Sequence, residues 1–88
     1  MEDVVFSQHA LDQMVRRGTN RMEIAATIRE GEMAPAKKGR LAFRKNFPFG
    51  SEWKGKYYEM KQVMAIAVKE EEQFVVITVY TFYFGGEV

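Results

Sequence analysis

Two long apolar runs at the C-terminal end leave this chain little choice of fold. Tyr57 to Lys69, YYEMKQVMAIAVK, and Gln73 to Phe84, QFVVITVYTFYF, are separated only by Glu70, Glu71 and Glu72. Both are rich in β-branched and aromatic residues, which pack well on a pleated surface. A short charged link between two such runs closes them into a hairpin. In the first run Tyr58, Met60, Gln62, Met64, Ile66 and Val68 share one side, and Glu59, Lys61, Val63, Ala65 and Ala67 the other. Its first half alternates polar and apolar, so one face there is wet; its second half is apolar on both sides and is covered. In the second run Val75, Ile77 and Val79 alternate with Phe74, Val76, Thr78 and Tyr80, so both faces are apolar and the run belongs inside a sheet.

The remainder of the chain supplies a cover for that hairpin. Asp3 to Phe6, DVVF, reads as a short first strand. Ser7 can cap a helix over Gln8–Arg17, and Gly18 can end it in a left-handed conformation. Ala10, Leu11, Met14 and Val15 are the side expected to face a core. Asn20 caps a second helix, with Glu23 at its third position, and Gly31 stops it. Its buried side is expected to comprise Met22, Ile24, Ala25, Ala26 and Ile28. The short link predicts a helical hairpin. Met33 to Gly39 reads as a connector. Arg40 to Phe47 alternates Leu41, Phe43 and Phe47 against Arg40, Ala42, Arg44 and Asn46, a strand with one apolar and one basic face. Pro48 to Gly55 reads as turn chemistry carrying Phe49 and Trp53, aromatics that either stack on bases or tuck back as a lid on the core. Helices followed by strands predict an α+β fold. The expected architecture is a single domain over residues 1–88, with a short first strand and a two-helix hairpin packed on an antiparallel sheet of three to four strands. The opposite sheet face is expected to be partly wet and to carry Arg40 and Arg44.

Composition narrows the chemistry. The 88 residues contain no cysteine and one histidine, which argues against disulfides, thiolate catalysis and a conventional zinc site. No metal and no cofactor is expected. The first residues carry acids and no long apolar run, unlike a secretory signal, and nothing approaches the ~20 apolar residues of a membrane span. A cytoplasmic location and no membrane partner are the default expectation. The formal net charge of +1 hides a segregation. Residues 1–36 carry four Arg against six acids, residues 37–61 eight Lys or Arg against two acids, and residues 62–88 one Lys against four acids. A basic middle block in a nearly neutral chain suggests a local anionic partner, or simply the solvated face of a strand and its loop.

The stretch Ser7-Gln8-His9-Ala10, through Met14, to Arg17-Gly18 carries the chain's only histidine and an arginine pair at helical spacing. It resembles the first helix of a widespread group of small prokaryotic domains of unassigned function, read there as a histidine-alanine pair, an arginine-methionine pair and arginine-glycine. Val76 to Tyr80, VITVY, is similar to the last strand of the same group. That group in turn resembles a branch of the RelE/ParE-like toxin superfamily, in which many members cleave RNA. Gln13 stands where the arginine before the methionine is usual. The resemblance implies a toxin-like RNA-binding protein, a metal-independent endoribonuclease of a toxin–antitoxin system, with RNA (on the ribosome or free) and an antitoxin protein as partners. His9 is the side chain whose ordinary pKa suits proton transfer to or from a ribose hydroxyl. Arg17 or Arg16 supplies a fork for phosphate oxygens. Gln13, Arg40, Arg44 and Tyr80 extend the substrate contact, and Tyr58 is a further donor or stacking surface. The same residues admit a plainer account, in which His9 is a surface residue and Arg16 and Arg17 answer the negative end of the helix dipole. The alternative function is a non-catalytic module that binds RNA or a protein through the basic sheet face.

Overall fold

The computed structural model describes residues 3–86. Their order is β1 (Asp3–Phe6), α1 (Gln8–Arg17), α2 (Arg21–Glu30), β2 (Glu32–Pro35), a short 3-10 turn at Lys37–Gly39, β3 (Leu41–Trp53), β4 (Lys56–Glu70) and β5 (Gln73–Phe84). The fold is α+β, with two helices on one face of a five-stranded mixed sheet ordered β1-β5-β4-β3-β2. The sheet is larger than the three to four antiparallel strands expected. β1 pairs in parallel with the start of β5, Asp3 opposite Gln73 and Phe6 opposite Val76. β2 pairs antiparallel with β3, Glu32 opposite Arg44 and Pro35 opposite Leu41. The segment read as a connector from Met33 is therefore partly a strand. Its residues are all exposed and show no alternation, because it is held by backbone pairing at the sheet's edge, where proline is tolerated.

β3 also runs further than its sequence suggests. Pro48 to Trp53 remains in the sheet, and only Lys54 and Gly55 form the turn, both at positive φ (52° and 85°). The register slips between Pro48 and Ser51, so Phe49 and Gly50 together oppose Glu59. Gly50, at φ 57°, absorbs this bulge without a Cβ penalty. Phe49 and Trp53 both reach the ring of Tyr83, at 5.1 and 5.0 Å between centroids. They tuck in as a lid at the end of the core. A second slip, between Ile66 and Ala67 of β4, brings both Val76 and Val79 of β5 to the helix side, which strict alternation forbids.

The core lies between helices and sheet and contains Ala10, Met14, Ile24, Ile28, Phe43, Val63, Ala65, Ala67, Val76 and Val79. Ala65 and Ala67 have no bulk, which lets α2 come close to β4. Thr27 is fully buried on α2 and donates its hydroxyl to the Glu23 carbonyl at 2.7 Å. Val15 and Met22, both expected inside, are 82% exposed. The helices offer narrower apolar faces than their composition suggests, and these two residues sit at the elbow between them.

α1 is fastened at both ends to β5. The Ser7 N–H donates to the Val76 carbonyl at 3.0 Å and its hydroxyl donates to the Ile77 carbonyl at 3.0 Å while accepting from the Ala10 N–H. At the other end the Arg17 carbonyl accepts from Thr81 and Tyr83 of β5, and the Gly18 and Thr19 N–H groups close the helix on the Met14 carbonyl. The helix thus continues the direction of β1 and lies along the part of β5 that β1 is too short to pair. The opposite sheet face has no cover among the described residues. Ala42, Arg44, Asn46, Met60, Gln62, Met64, Ile66, Val68, Val75, Thr78, Tyr80, Phe82 and Phe84 fall there by register. It is mostly apolar rather than basic. Arg44 is on it, ion-paired to Glu32 at 3.4 Å, and Arg40 sits in the β2–β3 connection. No helix among the described residues is long and apolar enough to cross a membrane.

Candidate functional site

The C-terminal end of α1 is held against the sheet by an unusual concentration of donors. The last carbonyls of a helix lack partners of their own. Here the Arg17 carbonyl accepts from Thr81 Oγ1 at 2.7 Å and from the Tyr83 hydroxyl at 2.8 Å. The Gly18 carbonyl accepts from Lys61 Nζ at 2.9 Å. Gly18 itself has φ 75°, and a Cβ there would stand 2.6 Å from both the Trp53 ring and the Tyr83 hydroxyl. Only glycine fits between the helix end and the aromatic lid. The arginine-glycine pair is therefore a docking device: the glycine permits contact, and the arginine's backbone is pinned while its side chain stays outside.

Lys61 is the buried member of this arrangement. Its side chain is 6% exposed and pairs with Glu23 Oε1 at 2.9 Å, and Thr19 Oγ1 donates to the same carboxylate oxygen at 2.7 Å. Asn20 caps α2 by accepting from the Glu23 N–H. Glu23, instead of reaching back to the cap, turns to Lys61 and Thr19. Lys61 thus leaves the solvent-facing charge of the basic block and becomes a strut under α1. Burial pushes the Tyr83 phenol above its ordinary range, with Thr81 opposing and the Glu23 charge adding to the rise, so it remains a protonated donor at neutral pH.

Above this floor lies an open groove of about 320 Å³, lined by Gln13, Arg16, Arg17, Trp53, Lys54, Thr81 and Tyr83. Three lining side chains are cationic and none is acidic. Arg17 donates through Nε to Gln13 Oε1 at 2.8 Å, and its guanidinium lies 5.0 Å from the Tyr80 ring centroid. Gln13 aims the arginine, and Tyr80 supports its plane from beyond the strand edge. Lys54 Nζ lies 5.5 Å from the centroid of the Trp53 ring. The groove combines guanidinium forks, an ammonium and an indole, a set suited to phosphate oxygens beside a flat ring.

The predicted residues fall into three places. Gln13, Arg16 and Arg17 line the groove, and Tyr80 reaches it only through the Arg17 guanidinium, from the opposite face of the sheet. His9 is exposed near the start of α1, two helical turns from Arg17, so about 12 Å along the axis separates them. Asp12, one turn from the histidine, accepts a bond from Gln8 at 3.1 Å. Arg40 and Arg44 lie at the β2 side of the sheet, away from the groove. Tyr58 stacks obliquely on Tyr83, 5.6 Å between centroids. Lys54, Thr81, Tyr83 and Lys61 were not singled out by sequence reasoning. A lysine at the tip of a basic loop, next to a tryptophan, was the one available signal. Among the described residues, no three His, Cys, Asp or Glu side chains gather to hold a metal ion.

No curated protein and no solved structure gives a significant match to the chain. A family model described as a domain of unknown function, DUF4258, matches residues 6–81. That span takes in both helices and every groove residue except Tyr83, and the chain belongs to the DUF4258 family.

Proposed function

We propose that the domain binds single-stranded RNA through the groove at the end of α1. The observation that carries this reading is the convergence of Arg16, Arg17 and Lys54 on one concavity without a lining carboxylate, in a chain whose net charge is only +1. Phosphates would sit on the two guanidinium groups and Lys54, and an unstacked base would lie against the exposed part of Trp53. The polar floor of Thr81 and Tyr83 is spent on the helix carbonyls and serves to hold Arg17 in place. The element order of one strand, two helices and then strands is in keeping with the RelE/ParE-like resemblance, which extends the proposal to a toxin-like protein with an antitoxin partner.

Cleavage is the second reading, and one observation favours it. His9, Gln13 and Arg17 recur at intervals of four on α1, so a strand laid along that face meets the histidine as well as the arginine. At about 12 Å from Arg17, His9 would act on a neighbouring phosphodiester and not on the one Arg17 holds. The proton transfer would be worth about 10²–10⁴-fold in rate.

Fluorescence anisotropy with a labelled single-stranded RNA tests the first reading. With three phosphates neutralised, log affinity should fall against log salt with a slope of about −2. Arg16→Ala/Arg17→Ala should weaken binding and flatten that slope, whereas Arg40→Ala/Arg44→Ala should do neither. Salt-independent binding, or wild-type affinity in the groove variant, refutes it. The same RNA, end-labelled and incubated with EDTA present, tests the second. Products with 2′,3′-cyclic phosphate that vanish in His9→Ala support cleavage; intact RNA rejects it and leaves binding standing.

A further inference from the structure

We propose that the uncovered face of the sheet is a homodimer interface, on which a second copy of the chain packs sheet against sheet. β5 along most of its length, and β4 over residues 63–68, are apolar on both sides, the pattern of strands buried on both faces. The helices cover one side only. On the other, Met60, Met64, Ile66 and Val68 are half-buried, and Tyr80, Phe82 and Phe84 are 36, 48 and 43% exposed. A second protein layer is what this sequence is built to receive.

The polar residues of the face indicate which protein. Arg44 is paired with Glu32 at 3.4 Å, and Gln62 Nε2 donates to Asn46 Oδ1 at 3.0 Å. The middle of the face therefore carries one ion pair and one amide pair, and no net charge to attract a nucleic acid or a strongly charged partner. Two copies meet on it without repulsion. Its size also fits. β3, β4 and β5 are 13, 15 and 12 residues long and β1 and β2 four each; at roughly 16 Å² of sheet plane per residue the face offers about 770 Å², close to the ~800 Å² per partner of a standard interface. Twisted sheets stack face to face at about 30°, with side chains interdigitating, and the two half-buried methionines are the adaptable side chains such a seam uses. The groove of each copy opens on the helix side and stays accessible; Tyr80 alone touches both, through its contact with the Arg17 guanidinium.

Sedimentation velocity over a dilution series should show a reversible dimer. Phe82→Glu, at a half-exposed position, should leave the circular dichroism and the RNA affinity unchanged. It should raise the dissociation constant about 10³-fold, because a roughly 30-fold loss at a half-exposed aromatic of the seam counts twice across a two-fold axis. Val15→Glu, on the outside of α1, should leave the dimer intact. Methionine-methyl NMR of the unaltered protein gives an independent readout: dilution should move the Met60 and Met64 signals and leave Met22 in place. A monomer at every concentration, a dimer that survives Phe82→Glu and fails with Val15→Glu, or dilution shifts at Met22 alone would overturn the proposal.

Discussion

Replacing Lys61 with methionine preserves the length of the side chain and removes one ammonium. The stem keeps its packing, so the hydrophobic contribution changes little. What is lost is a charge-assisted bond to the Gly18 carbonyl and the ion pair with Glu23, each at 2.9 Å. The first is worth about 1.5–3 kcal/mol. The second is discounted, because the Glu23 side chain is 23% exposed, can rehydrate and keeps its bond from Thr19. Relief of the buried ammonium's desolvation offsets part of the loss. The net expectation is a destabilisation of about 2 kcal/mol, a fall in Tm of roughly 8–16 °C for a domain of this size. Glu23→Gln should cost about 3 kcal/mol, since it strands an ammonium that is only 6% exposed. In the double variant neither charge is left alone, so its loss should be well short of the two combined. Urea and thermal unfolding of the four proteins measure this cycle. Wild-type stability in Lys61→Met, or simple additivity, would refute the assignment of Lys61 as a strut. The salt slope of RNA binding should also be unaltered in Lys61→Met, because this lysine does not face the strand.

Lys54 has a left-handed backbone in the two-residue turn, a conformation that asparagine adopts more readily than lysine. Lys54→Asn should therefore stabilise the domain by about 0.5–1 kcal/mol while weakening RNA binding and reducing the salt slope by about 0.7; a melt and an anisotropy titration should move in opposite directions. Tyr83→Phe should cost about 1 kcal/mol by leaving the Arg17 carbonyl with Thr81 alone. The raised Tyr83 pKa also sets a pH dependence. Its contribution is fully present below the unfolded tyrosine value near 10 and is lost as pH rises through the folded value, since the unfolded chain releases its proton first. Unfolding free energies should fall above about pH 10 in the wild type and fall less steeply in Tyr83→Phe.

The helices and the C-terminal hairpin were legible because capping side chains and apolar spacing are local signals. Ser7 and Asn20 cap where expected, and Gly18 ends α1 in the left-handed conformation. β2 carried no such signal, since four exposed residues paired through their backbone leave no pattern of side chains. Pro48 and Gly50 suggested a turn, yet β2 pairs β3 only as far as Arg44, so from there β3 is the outermost strand and accommodates a proline and a bulge. Arg16, Arg17 and Gln13 were found from helical spacing alone. Their partners Thr81, Tyr83 and Lys61 were hidden because each lies more than forty residues away and joins through a backbone carbonyl, which any sequence provides. The basic block does not form one continuous patch. Adjacent charges along the chain were distributed to a buried strut, an ion pair on the far face and one groove residue.

Since Ser7 is anchored to Ile77 and Arg17 to Thr81 and Tyr83, across separations of 70, 64 and 66 residues, the first helix finds its seat only on the last strand. A chain emerging from the ribosome can close the β3–β4 hairpin early, because its partners are neighbours in sequence. It cannot fix Arg17 until β5 has been made. High-separation contacts of this kind also slow folding, because the loop entropy is lost before the contact forms. The groove is thus assembled only once β5 has been made, and a chain lacking β5 carries the arginines of α1 with nothing to hold them in register. Any activity that resides in the groove is withheld from incomplete chains by the order of the strands.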